Sequence, residues 1–430
     1  MTPAARIAAA IEVLAEIEAR RRPTADAMRD WGLARRFAGS GDRAAIASLV
    51  YDALRRKSSS AWLMGEMSPR AEVLGALKQT RGLSAEAIAA LCSGEGHAPP
   101  PLTATELERL ATADLAAAPA DVAGDYPEWL APEFEAAFGE RAAEEGRALA
   151  ERAPVDLRAN LIKTTRDKAL AALARFSPEP TPLSPVGLRI AVRPDGRGPA
   201  LAGEPAYVKG LVEVQDEGSQ LAALLAEAKG GMQVLDLCAG AGGKTLALAA
   251  AMGNHGQIYA TDPDGRRLAP IFERLKRAGA RNVQVRAPRG EADALADLVG
   301  RCDLVVIDAP CSGSGAWRRN PDAKWRVRPG ALQQRVKDQD EILDSAMRFV
   351  KSGGRLVYVT CSVLRSENED RVASFLERHA DMAPLDAKAQ AKSAGLPALA
   401  DHASPFGPGF RLSPRATGTD GFYVATLTRA

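Results

Sequence analysis

The chain has 430 residues, 46% of them hydrophobic and 26% charged, with a formal net charge of +2. That is too long for one ordinary domain, and the composition is that of a folded protein. Global disorder, collagen-like repeats and a coiled-coil rod are excluded. The near balance of 56 basic against 54 acidic residues decides nothing about nucleic acid, because partners read local charge. Five cysteines (Cys92, Cys238, Cys302, Cys311, Cys361) are scattered without a C-x-x-C pair. This argues against structural zinc, against a disulfide framework, and for a cytoplasmic location. Residues 1–20 carry Glu12, Glu16 and Glu18 among apolar neighbours, unlike a signal peptide, and no uncharged apolar run is long enough to span a membrane.

Residues 1–150 read as an all-α domain. Ile7, Ile11, Leu14 and Ile17 recur at the spacing of one helix face. Asp42 suits the cap of a second helix that turns Ile46, Leu49, Val50 and Leu54 inward, and Ser84 that of a third with Ile88 and Leu91 buried. Pro99, Pro100 and Pro101 break the pattern. Residues 151–213 read as a small α+β module, with strands at 157–162, 188–192 and 207–214, a helix at 165–174 and a proline-rich loop at 177–185. Residues 214–430 form the third domain, in which strand and helix alternate. Strands are expected at 234–237, 258–260, 283–285, 304–307 and 356–359, and helices at 245–252, 266–278, 331–350 and 367–379. The alternation predicts an α/β domain with a mostly parallel sheet covered on both faces, whose ligands sit at the carboxyl ends of the strands. Cys92 and Cys302 read as core residues.

Cys238-Ala239-Gly240-Ala241-Gly242-Gly243-Lys244 follows the first of these strands and opens a helix. Its glycines let backbone turn sharply and approach a ligand. It is neither a P-loop nor a dinucleotide fingerprint. The second strand leads to Asp262, an acid placed to accept hydrogen bonds from both hydroxyls of a ribose. A glycine loop with a ribose acceptor and no pyrophosphate cradle fits S-adenosylmethionine, although a tight βα turn beside a solvated Asp explains the loop alone equally well. Asp308-Ala309-Pro310-Cys311 and Thr360-Cys361-Ser362 end two further strands. Either thiol alone is a packing residue; two at one sheet edge, beside a cofactor loop, form a constellation. Cytosine carbon 5 is a poor nucleophile until a thiolate adds to carbon 6. A carboxyl group such as Asp308 near N3 stabilises the developing charge, and a second thiol assists release. Free cysteine titrates near pH ~8.5, so the nucleophile needs a neighbour that favours thiolate, for which Lys244 is the candidate. The residues themselves do not rank the two thiols.

Arg318, Arg319, Lys324 and Arg326 interleave with Trp317 and Trp325 just beyond Cys311. Such a segment suits phosphate contacts and stacking on unpaired bases. The basic residues of 266–281 are explained more simply as a solvated helix face.

The motifs together resemble the Sun/nucleolar-protein family of RNA cytosine-C5 methyltransferases, in its bacterial ribosomal-RNA branch. The matching pieces are Val214-Gln215-Asp216-Glu217-Gly218-Ser219-Gln220, the 238–245 loop, Asp308-Ala309-Pro310-Cys311-Ser312, Arg318-Arg319-Asn320-Pro321-Asp322, Thr360-Cys361-Ser362 with Glu367-Asn368, and Gly418-Thr419-Asp420-Gly421-Phe422. The resemblance implies a Rossmann-like methyltransferase domain, a small RNA-binding module around Leu157-Arg158-Ala159-Asn160 and an antitermination-factor-like helical domain. It implies Cys361 as nucleophile, Cys311 as releasing thiol, Asp308 near base and cofactor, and Asp262 with Arg267 at the ribose. It also implies ribosomal RNA as partner, with no membrane or metal, and a monomer. The sequence departs from the family at Gly240-Ala241, where Ala-Pro is usual, and at Ala287-Pro288, where an Asp often contacts adenine. A transfer-RNA methyltransferase and a catalytically silent assembly factor are the alternatives. Both thiols argue against the second, and no DNA-reading module is apparent.

Overall fold

The computed structural model describes residues 1–193, 198–288 and 293–430. The chain divides into two compact units. Met1–Arg152 and Trp317–Arg328 belong to the first, and Ala153–Arg193, Gly198–Ala316 and Pro329–Ala430 to the second.

The first unit is helical. Helices Pro3–Arg20, Thr24–Ala34, Ser40–Arg55, Lys57–Met64 and Pro69–Arg81 enclose a core that includes Ile7, Leu14, Ile46, Val50 and Leu74. Thr2, Ser68 and Ser84 cap their helices by accepting a backbone N–H, and Thr103 with Glu106 forms a reciprocal capping box. Asp42 is not a cap. Its helix begins at Ser40 after Gly39, so Asp42 lies in the first turn and accepts from Arg6 Nε at 2.9 Å. The helix Thr24–Ala34 lacks a side-chain cap and so carries no local start signal in the sequence.

The second unit opens with β1 (Val155–Ala159), helix Arg166–Ala172, β2 (Glu179–Pro180), β3 (Gly187–Ile190), helix Pro205–Val208 and β4 (Val212–Val214). These strands form an antiparallel sheet in the order β2-β3-β1-β4. The strand expected at 207–214 is helical in its first half, because Pro205 pre-sets a helical first turn and lacks an N–H that would go unpaired there. β1 stops at Asn160, whose Nδ2 donates to the carbonyls of Gly210 and Ala278, both at 2.8 Å.

The larger sheet contains β5 (Gln233–Asp236), β6 (Gln257–Ala260), β7 (Val283–Val285), β8 (Cys302–Asp308), β9 (Val350–Thr360), β10 (Met382–Pro384), β11 (Phe410–Leu412) and β12 (Phe422–Arg429). Its order is β10-β12-β9-β8-β5-β6-β7, with β11 on β12. From β9 to β7 the pairs are parallel, whereas β12 runs antiparallel to β9 and β10. Alternate residues serve opposite cores. Val234, Val306 and Val359 join one cluster and Leu235, Val305 and Tyr358 another, which is why these strands read as continuous apolar runs. The helix expected at 266–278 is two pieces, Gly265–Leu268 and Ile271–Ala278, because Pro270 cannot donate to the ladder between them. The chain leaves β5 toward β6 on one side and returns to β8 on the other, so the adjacent carboxyl ends of β5 and β8 flank a switch-point crevice.

Candidate active site

The loop after β5 turns at Gly240 (φ +49°) and Gly242 (φ +84°), left-handed conformations that glycine adopts freely. A Cβ on Gly242 would lie 2.5 Å from Ile271 Cγ1, so the close approach of loop and helix requires this glycine. Asp262, at the end of β6, closes the loop: its carboxylate accepts from the Gly240 N–H at 3.0 Å and the Asp264 N–H at 2.9 Å. Arg267 Nη1 is 3.6 Å from the same carboxylate. Asp236 is fully buried, accepts from Thr245 Oγ1 at 2.7 Å, and has a second oxygen without a partner. Burial pushes its carboxyl up to about 7. Cys238 and Ala239 are buried beneath the turn, and burial raises the Cys238 thiol far above the cysteine range. The glycine turn, the acid at β6 and the unpaired Asp236 oxygen suit a polar nucleoside ligand such as S-adenosylmethionine. Ala287 packs against the cluster containing Ala239 and Ile271 and supplies no side-chain acceptor.

Lys244 Nζ pairs with Asp308 Oδ2 at 2.8 Å, joining the helix that follows the glycine loop (Gly243–Ala251) to the end of β8. The charge of Lys244, expected to favour a thiolate, is thus shared with a carboxylate. Each thiol has the other as its neighbour. Cys311 Sγ and Cys361 Sγ are 3.4 Å apart, both half-buried and both free. The hydrogen bond with Cys361 holds the Cys311 thiol well above the cysteine range, and burial and nearby negative charge add to it. Either sulfur can donate to the other across this contact.

Sequence reasoning assigned no role to Glu367. Its buried carboxylate accepts from the Ser312 N–H at 2.7 Å, Ser312 Oγ at 2.6 Å, Gln339 Nε2 at 3.1 Å and Ser362 Oγ. Asn368 completes the second loop, accepting from Thr360 Oγ1 at 2.6 Å and donating to the Ser362 carbonyl at 3.0 Å. A serine directly after each cysteine, with an acid and an amide a few residues beyond the second, was the available signal.

The basic segment requires a second correction. Trp317, Arg318 and Lys324 are buried. Trp317 stacks on Phe134 with ring centroids 5.9 Å apart. Lys324 Nζ donates to the carbonyls of Arg55 at 3.0 Å and Asp125 at 2.5 Å, and burial lowers its ammonium to about 7. Trp325 Nε1 donates to the Leu54 carbonyl at 2.7 Å. These side chains pack the helical unit, so Trp317, Trp325 and Lys324 do not offer stacking faces or a free cation to RNA. Arg319 is half-buried, and Arg326 is exposed. Among the described residues, no group of three or more His, Cys, Asp or Glu side chains is placed to hold a metal ion.

Residues 222–428 match the model of the 16S rRNA methyltransferase RsmB/F family, and residues 126–195 match the ferredoxin-like domain of RsmF/B-like methyltransferases. The chain matches the RsmB/Sun family in sequence and fold. Ribosomal RNA small subunit methyltransferase B of Photorhabdus laumondii is 34% identical over 306 residues, 71% of this chain and 66% of that protein. The probable counterpart from Synechocystis is 34% identical over 259 residues, 60% and 57% of the two chains. The match thus spans slightly under two thirds of these relatives' length. A methyltransferase homolog from Pyrococcus horikoshii superposes with TM-score 0.60 at 25% identity, covering 72% of this chain and 98% of that one. NSun6 from the same organism shares the fold, with TM-score 0.58 at 22% identity over 70% and 98%. The larger sheet is accordingly the Rossmann-like sheet of this methyltransferase fold.

Proposed function

We propose that the protein is an S-adenosylmethionine-dependent RNA cytosine-C5 methyltransferase that acts on ribosomal RNA in the cytoplasm. The observation that carries this reading is the pair of free thiols 3.4 Å apart after the adjacent parallel strands β8 and β9, beside the glycine loop that ends β5. Two such thiols answer the specific difficulty of cytosine chemistry, which is to make carbon 5 nucleophilic and then restore the ring. The similarity to small-subunit ribosomal-RNA methyltransferases supports the choice of RNA. Free, reactive cysteines suit a reducing compartment, and no helix among the described residues is long and apolar enough to cross a membrane.

The 238–244 loop and Asp262 would hold the cofactor, with Arg267 at its edge. When bound, S-adenosylmethionine supplies the methyl group for carbon 5. Cys361, as the thiolate left when its proton passes to solvent, attacks carbon 6 of the cytosine, the role that the resemblance of its Thr-Cys motif implies. Asp308, half-exposed and paired with Lys244, would contact the target base beside the cofactor. Loss of the carbon-5 proton to a base later expels the Cys361 sulfur as thiolate and restores the ring, and Cys311, 3.4 Å away, assists this release. The resemblance of the helical unit and the antiparallel module to RNA-binding domains supports a part for both in holding RNA; in the basic segment the exposed Arg326 is the part still suited to phosphate. Bisulfite sequencing of total RNA from cells with and without the gene tests the function. The expected result is loss of 5-methylcytosine at a ribosomal position. Loss confined to transfer RNA would reassign the substrate, and no loss anywhere would overturn the reading.

A further inference from the structure

Glu367 is fully buried, and no cation pairs with it among the described residues. A buried carboxylate without a counter-ion is costly unless hydrogen bonds satisfy it. Here four donors do so, matching the acceptor capacity of one carboxylate. Their origin is informative. The Ser312 amide and hydroxyl belong to the residue after Cys311, and the Ser362 hydroxyl to the residue after Cys361. Gln339, on helix Pro329–Met347, donates both to Glu367 and to the Pro310 carbonyl at 2.9 Å, so it grips the first loop on the other side of Cys311. The backbone of Glu367 is itself fixed, because the Tyr358 hydroxyl donates to its carbonyl at 2.8 Å. Two further bonds tie the loops directly: Ser314 Oγ lies 3.0 Å from Ser362 Oγ, and the Gly315 N–H donates to the Cys361 carbonyl at 3.0 Å. A cross-link made only for stability would not require a buried charge.

We propose that Glu367 is a positioning residue for the methyl transfer: one carboxylate fixes the loops that bear Cys311 and Cys361 in a common register, so that both thiols address the same base. The proposal rests on the cytosine-C5 reading above. Its negative charge also raises the Cys311 thiol, after the larger effects of the Cys361 sulfur and burial.

The test uses the full chain, ribosomal RNA from cells lacking the gene, and S-adenosylmethionine with a labelled methyl group. In Glu367→Gln, the amide oxygen accepts from the Ser312 N–H and Gln339, while its NH2 donates to the two serine hydroxyls. Its kcat is expected within about fivefold of wild type, because the geometry survives. Glu367→Ala removes the register and is expected to lower kcat by about 100-fold, the cost of misplacing reacting groups by about 1 Å, with KM for RNA nearly unchanged. Combined with Cys311→Ser, it should also reduce the covalent protein–RNA band on a denaturing gel. If Glu367→Ala melts well below wild type, Ser312→Ala/Ser362→Ala decides. That pair keeps the carboxylate but removes both hydroxyl donors, and about a tenfold loss of kcat is expected. Wild-type kcat in the alanine variants, or a Gln variant as inactive as Ala, overturns the proposal while wild-type methylation leaves the enzyme reading intact. Absence of methylation by wild type would instead remove the enzyme reading itself.

Discussion

Asp262→Ala perturbs the cofactor site where its geometry is most constrained. The side chain is only 1% exposed. It accepts two backbone N–H groups, from Gly240 at 3.0 Å and Asp264 at 2.9 Å, and thereby sets the turn of the cofactor loop. Truncation takes the acceptor away from the ribose and leaves both amides seeking partners. A polar group deprived of its partner costs about 1–3 kcal/mol. One such loss at the ribose corresponds to about a 5- to 150-fold weaker Kd for S-adenosylmethionine. Loosening of the Gly240 turn adds to this, because a flexible loop must be ordered again on binding. Asp262→Asn keeps one acceptor oxygen and should fall between the two. Arg267, 58% exposed and 3.6 Å away, contributes little to holding the carboxylate, as exposed ion pairs are weak. Calorimetric titration of the full chain measures the effect, and hydrogen exchange at the Gly240 amide reports the loop independently. An unchanged Kd in Asp262→Ala would refute the ribose assignment, and tighter binding of NAD than of S-adenosylmethionine would refute the cofactor.

The remaining predictions concern the thiols, the RNA and pH. Cys361→Ser should abolish methyl transfer and give no covalent complex, whereas Cys311→Ser should attack, methylate once and stall as a slow-migrating protein–RNA band; the reverse pattern would exchange the two roles. Arg326→Ala should weaken RNA binding at all sequences and lower the salt slope by about one unit, as expected for one lost phosphate contact; an unchanged slope would make this arginine a solvated surface residue. Burial raises the Asp236 carboxyl from 3.8 to about 7. A carboxyl raised in the folded state contributes stability that is present below the unfolded value and lost as pH rises through the folded one. Asp236→Asn should therefore flatten the decline in thermal stability between about pH 4 and 7, and an equal decline in both proteins would show that another group titrates.

What the sequence by itself determined lies in contiguous residues. The Gly240 and Gly242 turn, the apolar runs of β5, β8 and β9 and the Ser84 cap are all legible, because each depends on neighbours a few residues away. The two Pro-Cys and Thr-Cys motifs were visible as strand-end chemistry for the same reason. Their meeting was not, because Cys311 and Cys361 lie fifty residues apart in the chain and only the parallel pairing of β8 with β9 brings their sulfurs within 3.4 Å. β12 pairs antiparallel with β9 across the intervening helices, a choice made by long-range hydrogen bonding that local pattern does not encode. The segment Trp317–Arg328 shows the limit most clearly. Its alternating aromatic and basic residues suit an RNA surface, yet Lys324 is buried against carbonyls of Arg55 and Asp125 and Trp317 against Phe134. Sequence reports which side chains carry charge or rings; only tertiary packing decides whether water, RNA or the protein's own backbone receives them.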